Sequence, residues 1–411
     1  MAFGQSKSKT GKNARGTMSV RALDAAMEDI ERATGDLPAP LAVLHLPSLR
    51  ANLEYTVRRA GRTRVRIASK SVRVRKVLEQ ALGADLSGGD DIRGIMAYSL
   101  REALWLVECG CRDVLIGYPT TDRQALARLG ADAEAKAAIT LMVDDVAHAE
   151  IAEAAGAHGV RMCIDVDSSL RLGPVHLGTR RSPLHTVDEV EALARTLDAR
   201  GHEVVGAMFY EAQVAGVQDN VFGIGPVKAL SMRRLVPLRQ EVAQALERVT
   251  GRKPEILNSG GTGSVEASAS APAVTEVTVG SGLFVPGTFD HFKSFTPRPA
   301  LFFGLDAVRS PAPGMSTLLY GGYIASGAPG ADRLPVPVRP RFAFTSREGA
   351  GEVQTPIDAP LPIGGRAWLR HGKAGELAER FAEIVVVDSV DGTPAVVDTW
   401  ATYRGEGKCF G

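Results

Sequence analysis

Three stretches of this chain decide its fold: VRIASK at residues 65–70, EILNSGGTGS at residues 255–264 and EVTVGSG at residues 276–282. They contain the first, seventh and eighth of eight short apolar runs, with helix-like segments between most of them. The other runs are IRGIMAYS (92–99), DVLIGYP (113–119), ITLMVDD (139–145), RMCIDVDS (161–168) and EVVGAMFYE (203–211). Runs that are apolar almost throughout are typical of parallel strands buried on both faces. Eight of them alternating with helices predict an α/β chain with a (β/α)8 barrel.

The sequence changes character after residue 300. Helical periodicity ends, Pro and Gly become frequent, and the strand-like runs STLLYGGYIA, RFAFT, EIVVVDSV and AVVDTW appear. These features predict an antiparallel β domain. We expect four parts, which are a disordered tail at 1–20, an N-terminal segment at 21–46 with a strand that joins the β domain, the barrel at 47–299 and the β domain at 300–411.

Composition excludes several classes of protein. The formal net charge of the 411 residues is +1, and aromatic residues make up only 6% of them, so a nucleic-acid-binding surface is not expected. No apolar run approaches the roughly 20 residues of a membrane span, and the start of the chain does not read as a secretory leader. Four cysteines without a CxxC pair argue against a disulfide framework. We expect a cytoplasmic protein.

Lys70 and the two glycine loops lie where a barrel places its chemistry. Phosphate often binds at the loops after strands 7 and 8, and here these loops hold Gly260, Gly261, Thr262 and Gly263, followed by Ser281 and Gly282. A lysine that faces a phosphate cradle across the barrel mouth indicates pyridoxal phosphate, which attaches as a Schiff base. The alternatives are a surface lysine in an arginine-rich stretch and plain glycine turns.

Three further side chains are candidates at the mouth. Arg171, just past strand 5, could hold the phenolic oxygen of a pyridoxal ring, or it could pair with Asp165 or Asp167. Tyr210, at the end of strand 6, could pack on the ring or be an ordinary buried tyrosine. Gln213 could hydrogen-bond a substrate.

Two residues of the β domain are candidate metal ligands. His371 and Cys409 are of the types that bind soft divalent metals such as zinc, although two ligands do not make a site. His371 is also the first candidate for a catalytic base near a substrate β-hydroxyl.

At this point the residues resemble a known group. The order VRIASKS, DVDSSLRLG, MFYEAQ, NSGGTGS and EVTVGSGLF is similar to fold type III pyridoxal-phosphate enzymes, with an alanine racemase-like barrel and a β domain. Within them it looks like the D-threonine aldolase and D-serine dehydratase branch, in the amino acid deaminase/aldolase subset. The resemblance implies that Lys70 carries the cofactor, that Arg171 and Tyr210 face it, and that the chain forms a homodimer.

The chain also departs from the branch. The metal-dependent members have a His-x-Cys or His-x-Asp pair near the C terminus, where this chain has Gly407 and Cys409. A zinc or manganese ion of the usual form is therefore in question. The function that follows is a pyridoxal-phosphate lyase cleaving or dehydrating a β-hydroxy amino acid of D configuration through a Lys70 aldimine. The alternatives are an amino acid racemase, with Tyr403 as a second base, and a non-catalytic pyridoxal-phosphate-binding protein.

Overall fold

The computed structural model describes residues 20–411, so the tail predicted at residues 1–20 lies, except for its last residue, outside the described residues. The described chain begins with helix α1 (Val20–Thr34) and strand β1 (Leu41–His45). Helix α2 (Leu46–Ala60) follows with a proline in its first turn, and it ends at Gly61, whose φ of 66° breaks the helix. Strand β1 is the strand expected in the segment 21–46.

Eight parallel strands close into a barrel in the order of their appearance in the chain, which confirms the predicted (β/α)8 barrel. The barrel strands are β2 (Arg64–Ala68), β3 (Ile92–Ala97), β4 (Val114–Ile116), β5 (Ile139–Val143), β6 (Arg161–Val166), β9 (Glu203–Phe209), β10 (Ile256–Ser259) and β11 (Glu276–Val279). Strands β7 (Leu170–Leu172) and β8 (Val175–Leu177) lie between β6 and β9 in the chain and form a separate hairpin. Each of the eight predicted runs contains one barrel strand.

Helices cover the outside of the barrel. They are α3 (Arg75–Leu82), α4 (Leu100–Glu108), α5 (Arg123–Ala131), α6 (Ala133–Ala138), α7 (Val146–Ala154), α8 (Val187–Ala199), α9 (Ala212–Ala215), α10 (Ile224–Thr250), α11 (Val265–Ala269) and α12 (Ser281–Phe284). Several begin at residues that the sequence marks as caps. The Asp122 carboxylate accepts the Ala125 N–H at the start of α5, and Thr186 and Glu189 form a capping box on α8. Among residues 20–411, no helix combines the length and apolar character needed to cross a membrane.

The barrel interior has a polar layer below an apolar one. In the polar layer, the Arg66 guanidinium on β2 bonds the Glu276 carboxylate on β11 at 2.7 and 2.8 Å, and it reaches Asp113 at 2.7 Å. The apolar layer contains the buried side chains Leu115, Met142, Cys163, Val205, Met208 and Ile256. The filled interior leaves the C-terminal mouth of the barrel as the place for a ligand.

The second sheet has eight strands and is mostly antiparallel. Its remaining strands are β12 (Leu301–Arg309), β13 (Ser316–Leu319), β14 (Val336–Arg339), β15 (Gln354–Ile357), β16 (Arg366–Arg370), β17 (Glu383–Val390) and β18 (Thr393–Ala401). The path β14-β16-β12-β1-β17-β18 carries β13 and β15 at one side. β1 pairs antiparallel with β12 and parallel with β17, so the N-terminal strand lies inside this sheet. The predicted antiparallel β fold is confirmed, with one parallel pair.

Two of the four expected strands in this part differ from the structure. The run STLLYGGYIA forms a strand only over its first four residues, since Tyr320 and Gly321 take positive φ values of 68° and 128° and turn the chain away. In RFAFT, only an isolated bridge between Phe344 and Ile357 forms. The long central strand β12 was not among the expected strands, although LFFGLDAVR is an apolar run.

Candidate active site

Lys70 lies in a short 3-10 turn (Ser69–Ser71) directly after the first barrel strand. The Val72 and Arg73 N–H groups bond the Ser69 carbonyl, and the Ser69 hydroxyl bonds the Met96 carbonyl of β3 at 3.1 Å. Among residues 20–411, no hydrogen bond or ion pair occupies the Lys70 amine, and the side chain is exposed. The turn is therefore fixed by its backbone while the amine remains available.

The two glycine loops meet each other and the Lys70 turn. The Gly282 N–H donates to the Thr262 hydroxyl at 3.0 Å, and the hydroxyl oxygens of Thr262 and Ser281 are 3.4 Å apart. A Cβ on Gly280 would lie 2.6 Å from the Ala68 carbonyl oxygen and 2.9 Å from the Ser71 Cβ. Only glycine permits this approach, so Lys70 and both loops form one continuous surface.

The loop after β10 begins a helical turn with its donor groups first. Ser264 is the first residue whose N–H bonds within the turn, to the Gly261 carbonyl at 2.9 Å. The N–H groups of Thr262 and Gly263 therefore precede the hydrogen-bonded part of the turn, as donors at a helix N-terminus do. Gly260 has a φ of 84°, in the left-handed region that favours glycine.

A buried carboxylate holds this loop from behind. Glu211, which follows β9, is fully buried and accepts hydrogen bonds from the Gly260 N–H at 3.2 Å and from the hydroxyls of Ser264 and Ser268. The Arg239 guanidinium of α10, also fully buried, bonds it at 3.0 Å. This role of Glu211 could not be predicted from the sequence, because no local pattern links it to residues about 50 positions later.

Gly263 has a packing role of its own. A Cβ there would lie 2.3 Å from the Ala215 carbonyl oxygen and 2.5 Å from the Phe292 ring. A side chain at this position would disturb the fold before it could repel a phosphate. A substitution at Gly263 therefore cannot report on phosphate binding.

Arg171 and Arg181 occupy different places near the mouth. Arg171 lies in the β7–β8 hairpin, its side chain is 49% exposed, and its Nε is 3.3 Å from the Asp167 carboxylate. This contact is the one expected if Arg171 is a loop arginine that pairs with an acid. Arg181 lies over two tyrosine rings, 5.2 Å from the Tyr210 centroid and 5.6 Å from the Tyr118 centroid. Arg181 was not among the candidates from the sequence.

Tyr210 and Gln213 both follow β9. Tyr210 lines a small cavity with Asp165 and Arg181, and burial raises the pKa of its phenol. The Gln213 amide donates to the Ser168 carbonyl at 2.6 Å, and its buried Oε1 has no hydrogen-bond partner among residues 20–411. Gln213 therefore ties the loop after β6 to α9 and keeps one acceptor unused.

Two carboxyl groups at the mouth have unusual proton affinities. Burial, with the nearby Asp144, raises the pKa of Asp165 to about 7. Burial also raises the pKa of Asp144. Asp165 ends β6 on the interior side of the barrel and lines the cavity under Arg181. Since a pKa near neutrality suits proton transfer, Asp165 is an acid–base candidate that the sequence did not single out.

His371 follows β16, and its backbone anchors the β domain to the barrel through the Gly287 N–H at 3.0 Å. Its side chain is buried, Nδ1 contacts the main chain of Lys373, and burial lowers its pKa. Cys409 is exposed. Within residues 20–411, no group of three or more His, Cys, Asp and Glu side chains is arranged to hold a metal ion. His371 lines a cleft of about 340 Å³ beside Arg73, and a Cβ on nearby Gly375 would lie 2.2 Å from the Lys70 carbonyl oxygen.

Tyr403, the second base expected for a racemase, lies beside Glu102. It is buried, with 1% exposure, and its hydroxyl donates to the Glu102 carboxylate at 3.0 Å. Burial and the Glu102 charge raise its pKa well above the usual range. Its ring packs edge-on against Trp105 at 4.9 Å, so it fastens the C-terminal segment to the barrel.

The closed barrel and the mostly antiparallel sheet together form the alanine racemase-like fold. No family model matches the sequence. No curated protein matches it either. Several solved structures do match it.

D-threonine aldolase from Filomicrobium marinum is 20% identical, with a TM-score of 0.73 over 90% of this chain and 96% of that one. D-threo-3-hydroxyaspartate dehydratase from Delftia sp. HT23 is 19% identical, with a TM-score of 0.69 over 89% of this chain and 98% of that one. Alanine racemase from Oenococcus oeni is 14% identical, with a TM-score of 0.54 over 82% and 90%. At these identities the likeness establishes the fold, which the sequence resemblance had predicted.

Proposed function

We propose that this chain is a pyridoxal-phosphate-dependent lyase acting on a β-hydroxy amino acid of D configuration, by retro-aldol cleavage or by dehydration and deamination. The observation that carries the proposal is the continuous surface formed by Lys70 and the loops at 260–264 and 280–282, where the Gly282 N–H meets the Thr262 hydroxyl at 3.0 Å. The lyase type is supported by the aldolase and dehydratase among the similar structures.

The residues at the mouth fit pyridoxal phosphate. The loops offer hydroxyl and backbone N–H donors, which suit a phosphate. The carboxylate nearest this cradle, Glu211, is turned behind the loop and neutralised by Arg239, so it does not face the phosphate position. Lys70 supplies an amine with no hydrogen bond or ion pair among residues 20–411.

Each residue of the mouth has a distinct task in this proposal. Pyridoxal phosphate, when bound to the Lys70 amine, supplies the electron sink for breaking a bond at Cα. Thr262, Ser281 and the adjoining N–H groups would hold its phosphate, and Tyr210 would lie beside its pyridine ring. Asp165, whose pKa is about 7, holds or releases a proton near the reacting carbons at neutral pH. His371 remains a second candidate base, held in its neutral form by burial.

The cofactor assignment is tested by replacing the lysine. We expect Lys70→Ala to lose the imine absorption band of the purified protein and all turnover, because no other amine replaces the covalent attachment. The matched control is Lys76→Ala, since Lys76 lies on α3, is 49% exposed and pairs with Glu79. An absorption band in Lys70→Ala equal to that of the unsubstituted protein contradicts the assignment.

The reaction type is tested by its products. Incubation with D-threonine or D-phenylserine in deuterated water should give an aldehyde with glycine, or a keto acid with ammonia. Inversion with deuterium at Cα of an amino acid lacking a β-hydroxyl, without cleavage of either β-hydroxy substrate, would show a racemase instead. A bound zinc or manganese ion, the homodimer and the cytoplasmic location stay predictions from the sequence.

A further inference from the structure

Arg181 is a cation at the barrel mouth with unused hydrogen-bond donors. Among residues 20–411, it forms no ion pair within 4.0 Å and no hydrogen bond, although 23 of the other arginines and lysines pair with acids in this part of the chain. Its guanidinium lies instead over the rings of Tyr118 and Tyr210, which follow β4 and β9. Two rings from different strands fix its position while its edge donors remain free.

Tyr210 connects this cation to the proposed cofactor site. A Cβ on Gly261 would lie 3.4 Å from Tyr210 Cε2, so the ring touches the loop after β10 on one side. Arg181 lies against the same ring, 5.2 Å from its centroid. The cation is therefore one aromatic ring away from the phosphate loop, on the side of β6 and β9.

Among residues 20–411, no acid forms an ion pair with the Arg181 guanidinium. Asp167 accepts from the Ser169 N–H and hydroxyl and is also near Arg171 and His185, so its oxygens are engaged elsewhere. Asp165 is buried, and with a pKa of about 7 it is roughly half protonated at pH 7. A negatively charged group entering this cavity would thus meet a guanidinium that no carboxylate of residues 20–411 pairs with.

We infer that Arg181, and not Arg171, binds the α-carboxylate of the amino acid substrate. The planar fork of a guanidinium matches the two oxygens of a carboxylate, and every α-amino acid carries this group. The cofactor phosphate would have its own donors at the loops after β10 and β11. The inference rests on the proposed function, because it takes the ligand to be an amino acid held beside Lys70.

The test compares ligands with and without the carboxylate. The dissociation constants of glycine and glycinamide are measured calorimetrically on the cofactor-loaded protein and on Arg181→Gln, Arg181→Lys, Arg171→Gln and Arg180→Gln. Arg180 is the matched control, since it is the neighbouring arginine and is exposed as Arg181 is. We expect Arg181→Gln to weaken glycine binding roughly 10- to 100-fold, as the loss of a charged hydrogen bond does, and glycinamide binding hardly at all.

The other outcomes are equally informative. Arg181→Lys should recover part of the affinity, while Arg180→Gln should bind glycine as the unsubstituted protein does. KM for D-threonine should rise in Arg181→Gln with the cofactor absorption unchanged. Unchanged glycine affinity in Arg181→Gln with cofactor bound, or a loss in Arg171→Gln instead, overturns the inference. A protein that binds no pyridoxal phosphate overturns the proposed function itself, and this inference with it.

Discussion

Glu102 shows how one side chain can combine burial with a link between distant parts of the chain. It lies in the first turn of α4, where its carboxylate accepts the Tyr98 N–H at 2.8 Å and the Tyr403 hydroxyl at 3.0 Å. Burial raises its pKa from 4.5 to about 7, against the opposing effect of these hydrogen bonds and of Ser69. Its proton therefore affects the stability of the fold near neutral pH.

The pH dependence of stability follows from this shift. A carboxyl with a raised native pKa stabilises the fold fully below its unfolded pKa of about 4.5, and this contribution is lost as pH rises through about 7. We expect Glu102→Gln to gain stability relative to the unsubstituted protein between pH 5 and 8, by on the order of 3 kcal/mol. Urea unfolding at several pH values measures the difference.

The control for this comparison is Glu108→Gln, on the same helix with its side chain 58% exposed. It should shift stability little and without this pH trend. A constant difference between Glu102→Gln and the unsubstituted protein over the whole range would mean that Glu102 titrates at its ordinary pKa.

The element that shapes the phosphate loop is the segment after β9, through Glu211. Glu211 and Arg239 are both fully buried and form an ion pair, so their charges neutralise each other. The Arg239 Nε and Nη1 atoms have no hydrogen-bond partner among residues 20–411. The same carboxylate also holds the Gly260 N–H and three serine hydroxyls. The loop conformation thus depends on an ion pair that the ligand does not touch.

Removing this carboxylate should destabilise the protein. We expect Glu211→Ala to lower the free energy of unfolding by about 3–5 kcal/mol, because it leaves Arg239 buried and unpaired. The double variant Glu211→Ala/Arg239→Leu should recover part of the loss. Urea unfolding of the cofactor-free protein provides the measurement.

The exposed pair of Glu255 with Arg161 supplies a comparison, because the Glu255 side chain is 50% exposed. Glu255→Ala should cost less than about 1 kcal/mol. Equal losses in Glu211→Ala and Glu255→Ala would show that the buried pair does not organise the loop.

Closure of the barrel is a property of the whole molecule, and Arg66 contributes to it directly. Its guanidinium joins the first barrel strand to the eighth through Glu276, 210 positions away, and it also reaches Asp113. The guanidinium is so tightly enclosed that a Cβ on Gly94 would lie 2.3 Å from Arg66 Nη1. The first and last strands are therefore joined by charge as well as by their backbone ladder.

Loss of this link should weaken the entire fold. We expect Arg66→Ala to reduce the free energy of unfolding by about 3–5 kcal/mol, since Glu276 would remain buried without its partner. Guanidinium unfolding followed by tryptophan fluorescence measures the loss. Arg64→Ala on the exposed start of the same strand should change stability by no more than about 0.5 kcal/mol, and a similar loss in both variants would refute the role of the buried ion pair.

The sequence by itself determined the barrel, the type of the second domain and the position of Lys70 beside two glycine loops. Strands buried on both faces need apolar side chains throughout, and tight backbone approach needs glycine, so these features are written in consecutive residues. The strand expected in residues 21–46 is also present, as β1. They failed for the end of STLLYGGYIA, where a turn ends the strand after Leu319.

Only the tertiary structure decided which polar side chains meet. It placed Arg181 over Tyr210 and joined Glu102 to Tyr403 across 301 positions. It also put Glu211 behind the phosphate loop. Such contacts leave no periodic or local signal. The residue type is the same in the sequence whether an arginine or a carboxylate is exposed or buried against a distant partner. Their pairing and their pKa values follow from burial, which the closed barrel alone creates.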